Sequence, residues 1–264
     1  VCARSCVGVR LCARACLGDG LDRVDQTLVC NMTRRRDTHG KKSVVMSSNS
    51  PFGCNPNNEH LFTEDSPFNP YMGYGKSKYK LEKFLQGLIS QSLEMPISII
   101  RAPWFYGPNQ PARQKLFFEM IRDGKGPIVG GGLNRRSMAY VGNLCQGILL
   151  AAQKPEADNE AFWIADEKPY TMHEVINTVE SLLEDEFSQT CKHGRLTLPG
   201  LASEVALMID WCLQTLGIYH QKIHVLSEMN KNIACSVEKA KKELGYMPNV
   251  ALEEGMRRSL KELF

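Results

Sequence analysis

The sequence predicts an α/β protein built on a doubly wound parallel sheet with a smaller C-terminal lobe, and three stretches carry that expectation. Residues 42–47 form a short β-branched run between a basic turn and the serines Ser47 and Ser48, the composition of a strand buried on both faces. Leu81, Phe84, Leu85, Leu88 and Ile89 then recur at helical spacing, so a helix that starts near Tyr71, just after Pro70, buries one face and ends before Pro96. Residues 97–101, Ile-Ser-Ile-Ile-Arg, read as the next strand. Strand, helix and strand in that order imply a right-handed parallel crossover.

The 264 residues, 43% of them hydrophobic, are enough for one large domain or a domain with a smaller lobe. With 32 basic and 29 acidic residues the net charge is +3, too small and too evenly spread for a nucleic-acid partner. Residues 1–40 differ from the rest. They hold a ten-residue repeat carrying Cys-x3-Cys twice, at Cys2, Cys6, Cys12 and Cys16. Read sharply, this is a four-thiolate metal site, but the spacing is not that of a zinc knuckle. We read residues 1–40 as low-complexity sequence without an evolved fold, and expect no metal. Val1 is not a start methionine, so the chain is expected to be incomplete at that end. Cys54, Cys145, Cys191, Cys212 and Cys235 are scattered, as the free thiols of a reducing, cytoplasmic compartment are. No uncharged run of 18 apolar residues exists. Residues 201–219, which carry Glu204 and Asp210, read as a mostly buried helix, with peripheral membrane contact as the other reading.

In chain order, residues 51–71 form a Pro-, Asn- and Gly-rich loop before the helix. After the strand at 97–101 come a loop, a helix over 114–122, and Gly130-Gly131-Gly132, a turn rather than a phosphate loop because no helix follows at the required distance. A strand-like run at 135–141 precedes a helix over 143–152 and a strand over 161–164. Thr171-Met172-His173-Glu174 is a capping box opening a helix to about residue 186. Ser236 caps a helix through Leu244, and residues 252–263 form the last one. The histidines, among them His220 and His224, show no metal spacing.

Chemistry concentrates in Tyr74-Gly75-Lys76-Ser77-Lys78. At i and i+4 on a helix, the Tyr74 phenol and the Lys78 ammonium point the same way. A free tyrosine titrates near pH ~10, too high for a base at neutral pH, and a neighbouring cation favours the phenolate. Such a tyrosine takes a proton from a secondary alcohol as hydride leaves, or returns it to a carbonyl. Ser48, at the C-terminal end of its strand where ligands of open α/β sheets bind, would hold the same oxygen. Tyr-x-x-x-Lys alone is common by chance; the upstream serines and the downstream Pro-x-x-x-Gly-Pro make the joint pattern specific.

With these motifs in place, residues 41–264 resemble the extended short-chain dehydrogenases/reductases, which include nucleotide-sugar epimerases and dehydratases and 3β-hydroxysteroid dehydrogenase-like enzymes. The resemblance rests on residues 45–48 with Gly53, on Tyr74 to Lys78, on Pro103 to Pro108 behind Ile100, on residues 136–143, and on residues 239–246 with Pro248. It implies a Rossmann-type sheet with a substrate lobe, NAD or NADP as cofactor, a small-molecule substrate, and a dimer surface on the helix from Tyr71. By the same resemblance Ser48 and Tyr74 are the catalytic pair and Lys78 binds the nicotinamide ribose. Pro103 and Phe105 lie by the nicotinamide, and Arg136 holds a diphosphate, its alternative being a surface arginine on a strand.

Two departures qualify it. The family's strand, Gly-x-x-Gly-x-x-Gly turn and helix, which cradle the cofactor pyrophosphate, have no counterpart before residue 41. Asn31 also sits too close to Ser48 to match the family's asparagine. The expectation is therefore a partial Rossmann-type fold. Its function is NAD(P)-dependent oxidoreductase or epimerase chemistry on a sterol-like or nucleotide-sugar alcohol. The alternative is an N-terminally truncated, inactive form that binds a partner through an exposed sheet edge.

Overall fold

The computed structural model describes residues 9–11, 42–70, 72–91, 95–109, 112–215 and 221–264. Strands β1 (Val9–Leu11) and β2 (Lys42–Ser48) lead into helix α1 (Met72–Ser90) and β3 (Ile97–Ala102). β4 (Trp104–Tyr106), α2 (Ala112–Arg122), β5 (Gly126–Val129), β6 (Arg135–Arg136), β7 (Met138–Tyr140), α3 (Val141–Gln153) and β8 (Ala161–Trp163) follow. β9 (Tyr170–Thr171), α4 (Met172–Asp185), β10 (Arg195–Leu198), α5 (Gly200–Thr215), α6 (Gln221–Glu228), α7 (Glu238–Leu244) and α8 (Leu252–Leu260) complete the order.

The main sheet runs β1-β2-β3-β8 and every pairing in it is parallel. β2 and β3 pair from Ser43 opposite Ile97 to Ser48 opposite Ala102. Because side chains alternate along a strand, each strand serves both faces. Val45, Ile97 and Ile99 pack with Leu81 and Leu85 of α1. Val44, Ile100 and Ala102 instead join Leu144 and Ile148 of α3 and Phe162 and Trp163 of the β8 end. Helices on both faces make the sheet doubly wound, and the near-continuous apolar runs of β2 and β3 follow from it. Full burial of each Leu or Ile in these layers is worth about 1.5–3 kcal/mol.

A second core forms the smaller lobe. Phe118 and Ile121 of α2, Val175 and Val179 of α4, and Met256 and Leu260 of α8 close on it with Met138. The lobe draws on segments before and after β8, while α3 and α7 return to the main sheet. Thr171 and Glu174 form the expected capping box at the start of α4. Gly130 and Gly132 hold positive φ of 65° and 63°, the conformation of a turn.

Several expectations change in detail. Residues 9–11 of the segment expected to lack a fold form β1; the Cys-x3-Cys repeat, Asn31 and Val1 lie outside the described residues. The run at 135–141 divides at Ser137, whose amide donates to the Ile233 carbonyl and whose hydroxyl accepts from the Cys235 amide at 3.0 Å. α7 starts at Glu238, with the Glu238 amide donating to the Ser236 hydroxyl at 3.3 Å. The mostly buried helix expected at 201–219 is corrected. α5 buries the small or polar Ser203, Ala206 and Asp210, and leaves Leu201 71%, Met208 70% and Trp211 61% exposed. No described helix is long and apolar enough to cross a membrane.

Candidate active site

The site is built where β2 ends. Ser48 is its last residue, and the Ser48 hydroxyl accepts the Ser50 amide at 3.2 Å, bending the chain into a 3-10 turn over Ser50–Phe52. Pro51 sets the φ that such a turn needs. Gly53, at φ 72°, turns the chain again beneath Asn69, whose carbonyl lies 2.7 Å from where a Cβ would stand.

Helix α1 lies against this turn. Its buried stripe is Lys78, Leu81, Glu82 and Leu85, spaced i, i+3, i+4 and i+7. Tyr74, one turn before Lys78, is 39% exposed at the open end of the stripe. Between them Gly75 is buried, and a Cβ there would meet the Ser50 carbonyl oxygen at 2.8 Å. The missing side chain lets the Tyr74 turn rest on the backbone that follows Ser48. Ser48, Tyr74 and Lys78 are thus brought to one end of the sheet by β2, the 3-10 turn and α1.

Beneath them sits a charged group that sequence reasoning missed. Arg101, 2% exposed, directs Nη2 to Glu82 Oε2 at 2.8 Å and Nε to the same carboxylate at 3.1 Å. Its Nη1 donates to the Glu64 carbonyl at 2.8 Å, and its guanidinium lies 4.5 Å from the Phe52 ring centroid. The Ser47 hydroxyl donates to Glu82 Oε1 at 2.5 Å. Glu64 accepts the Trp163 amide at 2.9 Å; burial raises its carboxyl above the usual range, against the pull of that amide and of Arg101. Two signals for this group stood in the sequence: Glu82 continues the Tyr74–Lys78 face by one turn, and Arg101 is a charge near the end of a mostly apolar strand.

Pro103 is buried just past β3, and Phe105 on β4 is 38% exposed with its carbonyl held by Gln114 at 3.0 Å. Arg136 stands apart. It lies on β6, pairs with Glu228 at 3.5 Å and bridges to Ile233. Its charge acts on Cys54, in the loop beyond Ser48. Burial and Glu228 push that thiol up to about 11, with Arg136 and Lys231 opposing. Deeper in the molecule, buried Asp166 accepts Tyr106 Oη and Asn143 Nδ2, both at 2.8 Å, and the Tyr140 amide at 2.9 Å, tying β4, β7 and α3 to the end of β8. Burial raises its carboxyl despite those three donors. Among the described residues no three His, Cys, Asp or Glu side chains converge as metal ligands.

The sequence profile of the NAD dependent epimerase/dehydratase family matches residues 23–165. An uncharacterized protein of Sinorhizobium fredii is 55% identical over 220 residues, which are 83% of this chain and 62% of that one. The N-acetyl-alpha-D-glucosaminyl-diphospho-ditrans,octacis-undecaprenol 4-epimerase of Escherichia coli O157:H7 is 25% identical, over 89% of this chain and 69% of its own. The human decarboxylating sterol-4-alpha-carboxylate 3-dehydrogenase is 24% identical, over 75% and 55%. The chain thus spans less than two thirds of the Sinorhizobium and human proteins. In fold it is similar to the UDP-glucuronic acid 4-epimerase of Bacillus cereus solved in complex with NAD, with a TM-score of 0.69 at 20% identity over 97% of this chain and 75% of that one.

Proposed function

The chain belongs to the NAD dependent epimerase/dehydratase family, and from that membership we propose that it exchanges hydride between NAD or NADP and a secondary alcohol or ketone, with Ser48, Tyr74 and Lys78 as its proton-transfer site. The observation that carries the reading is the seating of the Tyr74 turn on the Ser50 carbonyl through Gly75, with Lys78 buried one turn below an accessible phenol. The residues at this end suit the nicotinamide half of the cofactor: accessible Tyr74 and Phe105 would border it, above buried Lys78 and Pro103. Bound there, the dinucleotide supplies the hydride acceptor or donor.

The chain's own residues handle the proton. Ser48 Oγ hydrogen-bonds the substrate oxygen and fixes it at the strand end. Tyr74, as phenolate, takes the hydroxyl proton from that oxygen; as phenol, it returns a proton to a carbonyl. Lys78 favours the phenolate by its charge, and its ammonium would hold the ribose hydroxyls of a bound cofactor. Replacing Tyr74 with Phe is expected to cost about 10²–10⁴-fold in turnover while NAD⁺ binding persists. A Tyr74→Phe variant that turns over like the parent refutes the assignment.

For the substrate, relatives named for a polyprenol-linked sugar and for sterols favour an alcohol with a large apolar portion. Arg136 supports a diphosphate-bearing substrate only if the diphosphate displaces Glu228. Arg136→Ala should then weaken UDP-hexose binding and leave a sterol alcohol unaffected. A second reading is a binding module without turnover. Incubation of the 264-residue chain with NAD⁺ and a secondary alcohol separates the two, since NADH formation excludes the second.

A further inference from the structure

We propose that the buried Glu82–Arg101 pair, tied to Ser47, is a positioning device that fixes the Tyr74–Lys78 turn relative to Ser48; it rests on the proton-transfer reading above. Each member is one step from the site. Glu82 lies one helical turn past Lys78 on the buried stripe of α1. Ser47 directly precedes Ser48, and Arg101 pairs with Ser47 in the sheet and leads into Ala102 and Pro103. None of the three reaches the open end where Tyr74 is exposed, so none is a catalytic residue.

Stability alone does not account for the pair. Taking two charges out of water costs more than their attraction reliably returns, and apolar replacements of buried pairs are often neutral or stabilising. Directionality is what an apolar replacement cannot supply. Leu81 and Leu85 hold α1 on the sheet through contacts without preferred direction, and such contacts permit small slides along the helix axis. The Arg101 fork admits one arrangement: two donors on the Glu82 carboxylate, a third on the Glu64 carbonyl, and its face against Phe52. Ser47 Oγ closes the remaining side of the carboxylate. A slide of α1 breaks these bonds together, so the helix is held at one axial position and Lys78 with it.

The test reads the ionisation of Tyr74, a property that a purely structural pair would leave unchanged in a folded protein. Phenolate absorbance of the full chain minus that of Tyr74→Phe isolates the residue; burial pushes Tyr106, Tyr170 and Tyr246 upward and out of the range. The parent is expected to titrate below the ordinary tyrosine value of ~10. The double variant Glu82→Leu with Arg101→Met removes both charges and keeps the volume. Once urea unfolding shows it folded, its Tyr74 midpoint should rise by about one pH unit or more. Arg101→Lys keeps the charge but loses the fork, and should rise similarly; it also serves if the double variant does not fold. Folded variants that keep the parent's midpoint overturn the positioning role. A parent that itself titrates at the ordinary value overturns the proton-transfer reading instead, and this inference falls with it.

Discussion

Two glycines on one helix provide a controlled measure of how closely α1 lies on the segment after Ser48. At Gly75 an added Cβ would stand 2.8 Å from the Ser50 carbonyl oxygen and 3.4 Å from its carbon, whereas at Gly87 nothing lies within 4 Å. Both sit in the same α-helix, so alanine brings each the same intrinsic gain of about 0.8–1 kcal/mol. At Gly75 the obstacle is backbone, which no side-chain rotation relieves, and clearing it takes a shift on the order of 0.5 Å. Overpacking of that kind costs about 1–3 kcal/mol. Gly87→Ala should therefore stabilise by just under about 1 kcal/mol, while Gly75→Ala should lie about 1–3 kcal/mol below it. Urea unfolding with a shared m-value reads the difference directly, and a heat scan should show about 2–4 °C for each kcal/mol. Equal stability of the two variants would refute the close seating of the Tyr74 turn, and with it the observation on which the proton-transfer site rests.

Arg101→Met alone leaves the Glu82 carboxylate buried without its partner and should cost about 3–5 kcal/mol in urea unfolding, more than the double variant costs. Removal of the Thr171 hydroxyl in Thr171→Ala takes away the α4 cap and should cost about 1 kcal/mol by the same method. Glu64 titrates above its ordinary 4.5 in the folded chain. The folded state therefore holds that proton where the unfolded chain has released it, so the group's contribution to stability is full below pH 4.5 and declines as pH rises toward the folded value. Parent minus Glu64→Gln unfolding energies should fall over that window; a flat difference would contradict the shift. With its thiol at about 11, Cys54 holds about a hundredfold less thiolate than an ordinary thiol at mildly alkaline pH, so iodoacetamide followed by peptide mass analysis should modify exposed Cys212 well before Cys54.

The frame of the fold was legible because it depends on local periodicity. The β-branched run of β2, the buried stripe of α1 and the apolar β3 each carry their own signature, and the capping box at Thr171 marked a helix start. The smaller lobe was not legible as an assembly, since Phe118, Val179 and Met256 meet through contacts that no local pattern encodes. α5 misled for a related reason. An apolar helix reads as buried, but burial is decided by which face finds a partner, and here Ser203, Ala206 and Asp210 face inward. In the candidate site, Ser48, Tyr74 and Lys78 stood out by type and spacing, whereas Gly75, which lets the Tyr74 turn lie on the Ser50 backbone, did not. Glu82 and Arg101 escaped notice because a charge on a helix ordinarily reads as solvated, and an arginine after an apolar run as the end of a strand.

The pairing of Ser47 with Arg101 also bears on how the sheet avoids misassembly. Apolar residues of similar size along β2 and β3 would tolerate a parallel pairing shifted by one residue almost as well as the native one. A shift of that size turns every side chain of the moved strand to the opposite layer. Moved so that Met46 stands beside Arg101, β2 would carry Ser47 away from the Glu82 carboxylate and leave polar groups in a dry layer with their bonds unmade, at about 1–3 kcal/mol for each neutral group and more for a charge. The network thus penalises that mispairing, which the hydrophobic layers alone would accept.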